Sequence, residues 1–145
     1  MSKEIKTEIL INSDSERVWQ VLTDFKGYPN WNPFIKSIRG EKIVGSKLAT
    51  EILPPNRRIM KFTPVLLEVD SEKELRWLGS GPVRGIFDGE HYFKILPQEN
   101  DSVKFIPGEK FSGILVRLMP KLLVDTKQGF EQMNEALRKE CENQK

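Results

Sequence analysis

The strongest constraint on the fold lies at the end of the chain, between Gly113 and Gln144. There Leu122, Thr126, Gly129, Phe130, Met133, Leu137 and Cys141 recur at steps of three and four residues, which places them on one stripe of a helix. Lys127, Gln128, Glu131, Gln132, Glu135, Arg138, Lys139 and Glu142 take the other side. A long helix with one apolar face needs a surface to bury it against. Most of the preceding chain alternates with a period of two, so that surface is expected to be a β-sheet.

Ile5, Thr7, Ile9 and Ile11 alternate with Lys6, Glu8 and Leu10 as a first strand with one buried face. Ser13 and Glu16 have the spacing of a capping box, and Asp14 adds favourable charge at a helix start. Val18, Trp19, Val21, Leu22 and Phe25 form the inward side of that helix, with Gly27 and Pro29 as its stop signals. Tyr28 to Phe34 holds three aromatics and two prolines, which predicts a short helical turn or ordered loop; its aromatics either line a mouth or, the more ordinary role for Trp31 and Phe34, pack as core. Strands follow over 35–40, 47–53, 57–69 and 75–79. In the long one, the apolar positions pass from Met60 and Phe62 to Val65, Leu67 and Val69 across Pro64, the mark of a bulge or an edge.

The last two strands carry the chemical interest. Phe87, Gly89, His91, Phe93 and Ile95 share one face, as do Val103, Phe105, Pro107, Glu109 and Phe111. A five-residue loop over Gln98–Ser102 pairs Pro97 with Val103 and sets His91 across from Glu109, both pointing inward. Matching the two apolar faces excludes a one-residue slip, although a two-residue slip keeps the same faces. A carboxylate beside an imidazole favours the imidazolium form and fixes its orientation, for a polar ligand group or for general-base work; a buried pair that only satisfies itself is the competing reading. His91 and Cys141 are the only soft ligands and make no zinc spacing, so neither metal nor cofactor is expected. Gly79–Gly85 resembles a phosphate loop only superficially, because it lies between two strands and reads as a turn. Arg57, Arg58 and Lys61 read as a solvated strand end.

The chain of 145 residues is long enough to bury a core and is expected to be one domain over residues 1–145. A net charge of +2 gives no reason to expect nucleic acid as a partner. No stretch reaches the roughly 20 apolar residues of a membrane span, so no stable membrane insertion is expected. One cysteine precludes an internal disulfide and suits a reducing, cytoplasmic setting. The sequence leaves the oligomeric state open.

The order strand, helix, short helix, six strands and long terminal helix resembles the START-like helix-grip superfamily, also called SRPBCC. Within it, the bacterial polyketide cyclase/dehydrase-like branch is the nearest likeness. The resemblance is carried by Val18-Trp19 with Asp24, Trp31-Asn-Pro-Phe-Ile35, Leu75-Arg-Trp77, Gly89-Glu-His91-Tyr-Phe93, Glu109-Lys-Phe-Ser-Gly113, and Phe130-Glu-Gln-Met-Asn134 with Ala136-Leu137. It covers nearly the whole chain, and fold alone does not fix activity. It implies an α+β fold: a curved seven-stranded antiparallel sheet wrapped around the long helix, with two short helices after the first strand.

Between sheet and helix the resemblance implies a cavity, in which members bind lipids, sterols, polyketides, hormones or other apolar molecules. By position, its lining is expected to include Phe62, Trp77, Phe87, His91, Phe93, Phe105, Glu109, Phe130 and Met133. Catalytic residues differ between branches, so no catalytic role is carried over. Three functions stay open. The first is a carrier or binder of a small, largely hydrophobic ligand, with His91 and Glu109 fixing its polar end. The second is a cyclase or dehydratase using those residues for proton transfer. The third is a chaperone-activator-like interaction module with no functional cavity.

Overall fold

Residues 2–80 and 85–143 are described by the computed structural model. Its strands are β1 (Ser2–Lys6), β2 (Ile9–Ile11), β3 (Ile35–Arg39), β4 (Ala49–Ile52), β5 (Met60–Phe62), β6 (Val65–Asp70), β7 (Glu74–Ser80), β8 (Asp88–Gln98) and β9 (Ser102–Ser112). The helices are α1 (Ser15–Thr23), α2 (Tyr28–Trp31) and α3 (Pro120–Glu142). All strand pairings are antiparallel, in the order β1-β9-β8-β7-β6 with β2 also on β9, and a second group β3-β4-β5. This is an α+β helix-grip arrangement.

The nine strand segments correspond to the seven expected stretches, two of which are interrupted. The first stretch breaks between β1 and β2 although both keep one register on β9. Thr7 donates its N–H to the Pro107 carbonyl at 3.1 Å, and Pro107 has no N–H to return. One rung of the ladder is therefore half made. The long stretch over 57–69 is not one strand, because Pro64 divides it into β5 and β6. Its parity change sits later than the sequence implied: β6 bulges between Leu66 and Glu68, so Leu66 is buried and Leu67 is exposed. The residues before β4 bind the start of β6, with Leu48 N–H on the Pro64 carbonyl and Leu66 N–H on the Ser46 carbonyl, both 2.9 Å. That seam joins the two sheets around the bend.

The hairpin of β8 and β9 has the register expected, with Pro97 opposite Val103 and His91 opposite Glu109. Asn100 and Asp101 turn it with positive φ, as short polar side chains allow. Helix α1 departs in one detail. It starts at Ser15, so Asp14 is its cap and accepts the Arg17 N–H at 2.8 Å, in place of the expected Ser13–Glu16 box. It also ends at Thr23, ahead of Gly27; a 3₁₀ turn over Phe25–Gly27 follows, and Pro29 lies in the first turn of α2, where its missing N–H is harmless.

Every residue of the terminal stripe is buried, from Leu122 through Thr126, Gly129, Phe130, Met133 and Leu137 to Cys141. Large side chains among these each contribute roughly 1.5–3 kcal/mol on burial. Gly129 is required by contact: a Cβ there would run into the Phe34 ring and Pro55, so the helix accepts a poor helix former to come close. At the far end Asn134 donates to Thr7 Oγ at 2.9 Å, tying α3 to the interrupted first stretch. Among the described residues no helix is long and apolar enough to cross a membrane.

Two outcomes test this packing. Met133→Asp puts a charge into the sealed interface and should cost about 3 kcal/mol or more; an unchanged melting temperature would refute the placement. Burial pushes the Cys141 thiol up to about 12, with Arg17 opposing it. The reactive thiolate is thus scarce in the folded chain at mildly alkaline pH. Ellman's reagent should find one thiol per chain in guanidinium and almost none in the native protein, and rapid native labelling would contradict the burial.

Candidate functional site

Register builds the centre of the site. Trp77 on β7, His91 on β8 and Glu109 on β9 are direct cross-strand neighbours in one row, and period-two alternation turns all three toward α3. His91 Nδ1 lies 3.2 Å from Glu109 Oε1. A carboxylate only accepts, so the ring nitrogen donates. The imidazole stacks on Trp77 at 5.1 Å between centroids and 16° between planes. Phe93 and Phe130 make T-shaped contacts with it at 4.4 and 5.1 Å between centroids. Held on three sides and at Nδ1, the ring is fixed. It is 3% exposed, and its Nε2 has no hydrogen-bond partner among the described residues.

The row forms one wall of a cavity of about 430 Å³, within the usual size range of small-molecule sites, roughly 300–1,000 Å³. Phe87 and Phe111 stand on the same wall, Phe62 and Ile52 belong to the second sheet group, and Leu122 and Thr126 come from the first turns of α3. Phe34, just after α2, also lines it, in a T-shaped contact with Phe130 at 5.4 Å. Met60 and Lys61 also line it and are solvent-exposed, so the cavity reaches the surface at β5. Its walls are mainly apolar, with His91 and Glu109 set into them.

Of the nine residues expected to line the cavity, Phe62, Trp77, Phe87, His91 and Glu109 do so. Phe93, Phe105, Phe130 and Met133 do not. They are fully or almost fully buried in the packed core, where Phe93 stacks on Phe105 at 5.7 Å. They share the correct face but lie farther along the strands and helix, where the space is filled. Sequence reasoning passed over Ile35, Ile52, Phe111, Leu122 and Thr126 as lining residues. For Phe111 and Leu122 the signal was present, since each continues an inward series already recognised. The turn expected over Gly79–Gly85 falls partly outside the described residues.

Gly89 has a positional role. A Cβ on it would overlap the Glu109 carboxylate, so the missing side chain gives Glu109 the space from which it reaches His91. Its backbone is not among the positive-φ positions, so alanine is sterically barred only by that carboxylate.

Helices gripped by a curved antiparallel sheet, with a cavity at their junction, define the START-like helix-grip class. The chain belongs to the family described as polyketide cyclase/dehydrase and lipid transport, whose sequence profile matches residues 2–142. No curated protein matches it by sequence. Among solved structures it resembles the ZhuI aromatase/cyclase of Streptomyces sp. R1128, with a TM-score of 0.80 and 11% identity over 98% of this chain and 94% of that one. It also resembles a START superfamily protein of Mycobacterium smegmatis, with a TM-score of 0.77 and 17% identity over 98% and 99%. A third is norcoclaurine synthase of Thalictrum flavum, solved with dopamine and hydroxybenzaldehyde, with a TM-score of 0.75 and 16% identity over 100% and 89%. At these identities the likeness concerns the fold.

Gly89→Ala should push the flexible Glu109 carboxylate away from His91 and, by leaving Nδ1 buried without that partner, cost about 1–3 kcal/mol. The measurement is imidazole nitrogen NMR, in which the Nδ1–H signal of the wild-type pair should be lost. An unchanged signal would show that Gly89 does not position Glu109.

Proposed function

We propose that this chain is a single ligand-binding domain that holds a small, largely hydrophobic molecule bearing one hydrogen-bonding group. The observation that carries the proposal is the Nε2 of His91, which has no hydrogen-bond partner among the described residues. A buried polar atom without a partner costs about 1–3 kcal/mol, and the residue that carries it is one of those lining a mainly apolar cavity of about 430 Å³. With Nδ1 engaged by Glu109, Nε2 is the ring nitrogen left for a ligand, and a hydroxyl can meet it as donor or as acceptor. The ligand it best accommodates has an apolar, preferably aromatic body and a hydroxyl group. Trp77, Phe62, Phe87 and Phe111 supply flat contact area for such a body.

An enzymatic reading rests on the same pair. A carboxylate that orients an imidazole with a free second nitrogen is the arrangement of a general base and its orienter. Lipid and polyketide ligands both fall within the proposed class. The chaperone-activator reading is less favoured, since an interaction module has no use for an apolar cavity with a buried polar pair in its wall.

Calorimetry with 1-naphthol and naphthalene separates these terms. Naphthol should bind near 1:1 and about tenfold more tightly than naphthalene, the equivalent of one net hydrogen bond. His91→Ala should erase that difference while retaining naphthalene binding. Equal affinities in the wild type, or no binding of either compound, would sink the proposal. Where turnover of a bound ligand is found, its loss in His91→Ala with binding retained favours the enzyme.

A further inference from the structure

The opening of the cavity has an unusual surface. One lip is the edge strand β5 and the residue before it, with Ile59 and Met60 exposed beside Lys61. The facing lip is the turn between β9 and α3 and the first turns of that helix. Ile114 is 71% and Leu118 76% exposed there, and Val124 is also exposed. Their placement is fixed from behind: Leu115 N–H bonds to the Ile86 carbonyl at 2.9 Å, and Val116 is buried against Phe111 and Leu123. The Arg57–Asp125 ion pair at 2.9 Å ties the segment leading into β5 to α3. Large apolar side chains held outward on both sides of one opening are not isolated surface residues.

Cations predominate along the same two lips, where the neighbouring acids are Asp88, whose carboxylate accepts the Gly85 N–H next to Ile114, and Glu51 beside Lys61. Segments 53–64 and 111–124 together hold five of the chain's 23 Lys and Arg residues and none of its 21 Asp and Glu residues. The rest of the chain thus carries 18 cations against 21 acids. Asp125, the first acid after the second segment, is occupied by Arg57. Arg58, Arg117 and Lys121 are exposed, and the Lys61 side chain is 78% exposed with its ammonium 4.0 Å from Glu51. Helix α3 has no acidic residue in its first turn, where one would ordinarily be favoured.

We propose that this rim docks on an anionic lipid bilayer. Ile59, Met60, Ile114, Leu118 and Val124 enter the headgroup region, while Arg58, Lys61, Arg117 and Lys121 meet the lipid phosphates. Apolar area and attraction to anionic lipid together drive such peripheral binding. Nucleic acid would use the cations and leave the apolar side chains unpaired. The cavity opens within the docked surface, so a ligand would pass between bilayer and cavity without crossing bulk water. That passage rests on the proposed ligand-binding function, whereas docking itself requires no ligand.

Sedimentation of the ligand-free chain with phosphatidylcholine vesicles, with and without phosphatidylglycerol, tests the docking. Binding should require phosphatidylglycerol and be largely lost when salt rises from about 0.05 to about 0.5 M, as screening dictates. Ile114→Ser with Leu118→Ser, and separately Arg58→Glu with Lys121→Glu, should each weaken it roughly tenfold or more. Both pairs are exposed and should leave the melting temperature and 1-naphthol affinity unchanged. Lys73→Glu with Lys139→Glu, away from the rim, should have much less effect. No binding to anionic vesicles, equal loss in the distant pair, or indifference to either rim pair would overturn the proposal. So would concentration-dependent self-association abolished by the serine pair, because the rim would then cover a second copy of the chain. Naphthol binding without vesicle binding would end the docking proposal alone; vesicle binding without naphthol binding would end only the ligand proposal.

Discussion

The position of the Phe130 ring determines how the interior is divided. It meets Phe34 edge-on at 5.4 Å and His91 at 5.1 Å, and it reaches them because Gly129 lets α3 approach Phe34 without a Cβ in the way. On one side of this contact lie Phe93, Ile95, Phe105, Met133 and Leu137, all buried. On the other lie Phe87, Gly89, Glu109, Phe111, Leu122 and Thr126, all lining the cavity. The same concave face is therefore filled over half its length and hollow over the rest. His91 stands at the boundary, in T-shaped contact with two aromatic rings and with Nε2 unpaired among the described residues.

This division explains what could be read in the chain. Parity along β8 and β9 and the 3.6-residue period of α3 specify a face, and they correctly paired His91 with Glu109 and buried the whole terminal stripe. Neither period specifies depth along the face. Phe93 and His91 are equivalent by alternation, yet one is core and the other is cavity wall. What separates them is the volume contributed by other elements, notably Phe34 from the short segment after α2. Such volumes depend on contacts between distant residues. Local breaks were harder to place for a related reason: Pro107 interrupts a strand that is not its own, and the parity change after Pro64 is delayed to the bulge at Leu67.

The polar pair is a costly choice for this position if stability were the only demand. Two side chains that want water are set among Trp77, Phe93 and Phe130, and their mutual bond satisfies only one imidazole nitrogen. A leucine-like core of similar volume would leave no polar atom unpaired. The neighbours nonetheless accommodate the pair, Gly89 by yielding space to the carboxylate and Trp77 by stacking on the ring. Consistent local provision for an otherwise unfavourable feature is the signature expected of a site kept for binding.

The filled half makes that provision affordable. Leu66, Leu75, Phe93, Ile95 and Phe105 are sealed there on β6 to β9, while α1 and the second half of α3 cover them. The cavity half is bounded by the short edge strand β5 and the turn before α3, elements with fewer buried side chains and more exposed ones. Elements with little buried area open more easily than a packed core. A molecule entering between β5 and α3 would therefore disturb the part of the structure that contributes least to holding it together, and would leave the packed half, with the β8–β9 hairpin that positions His91, in place.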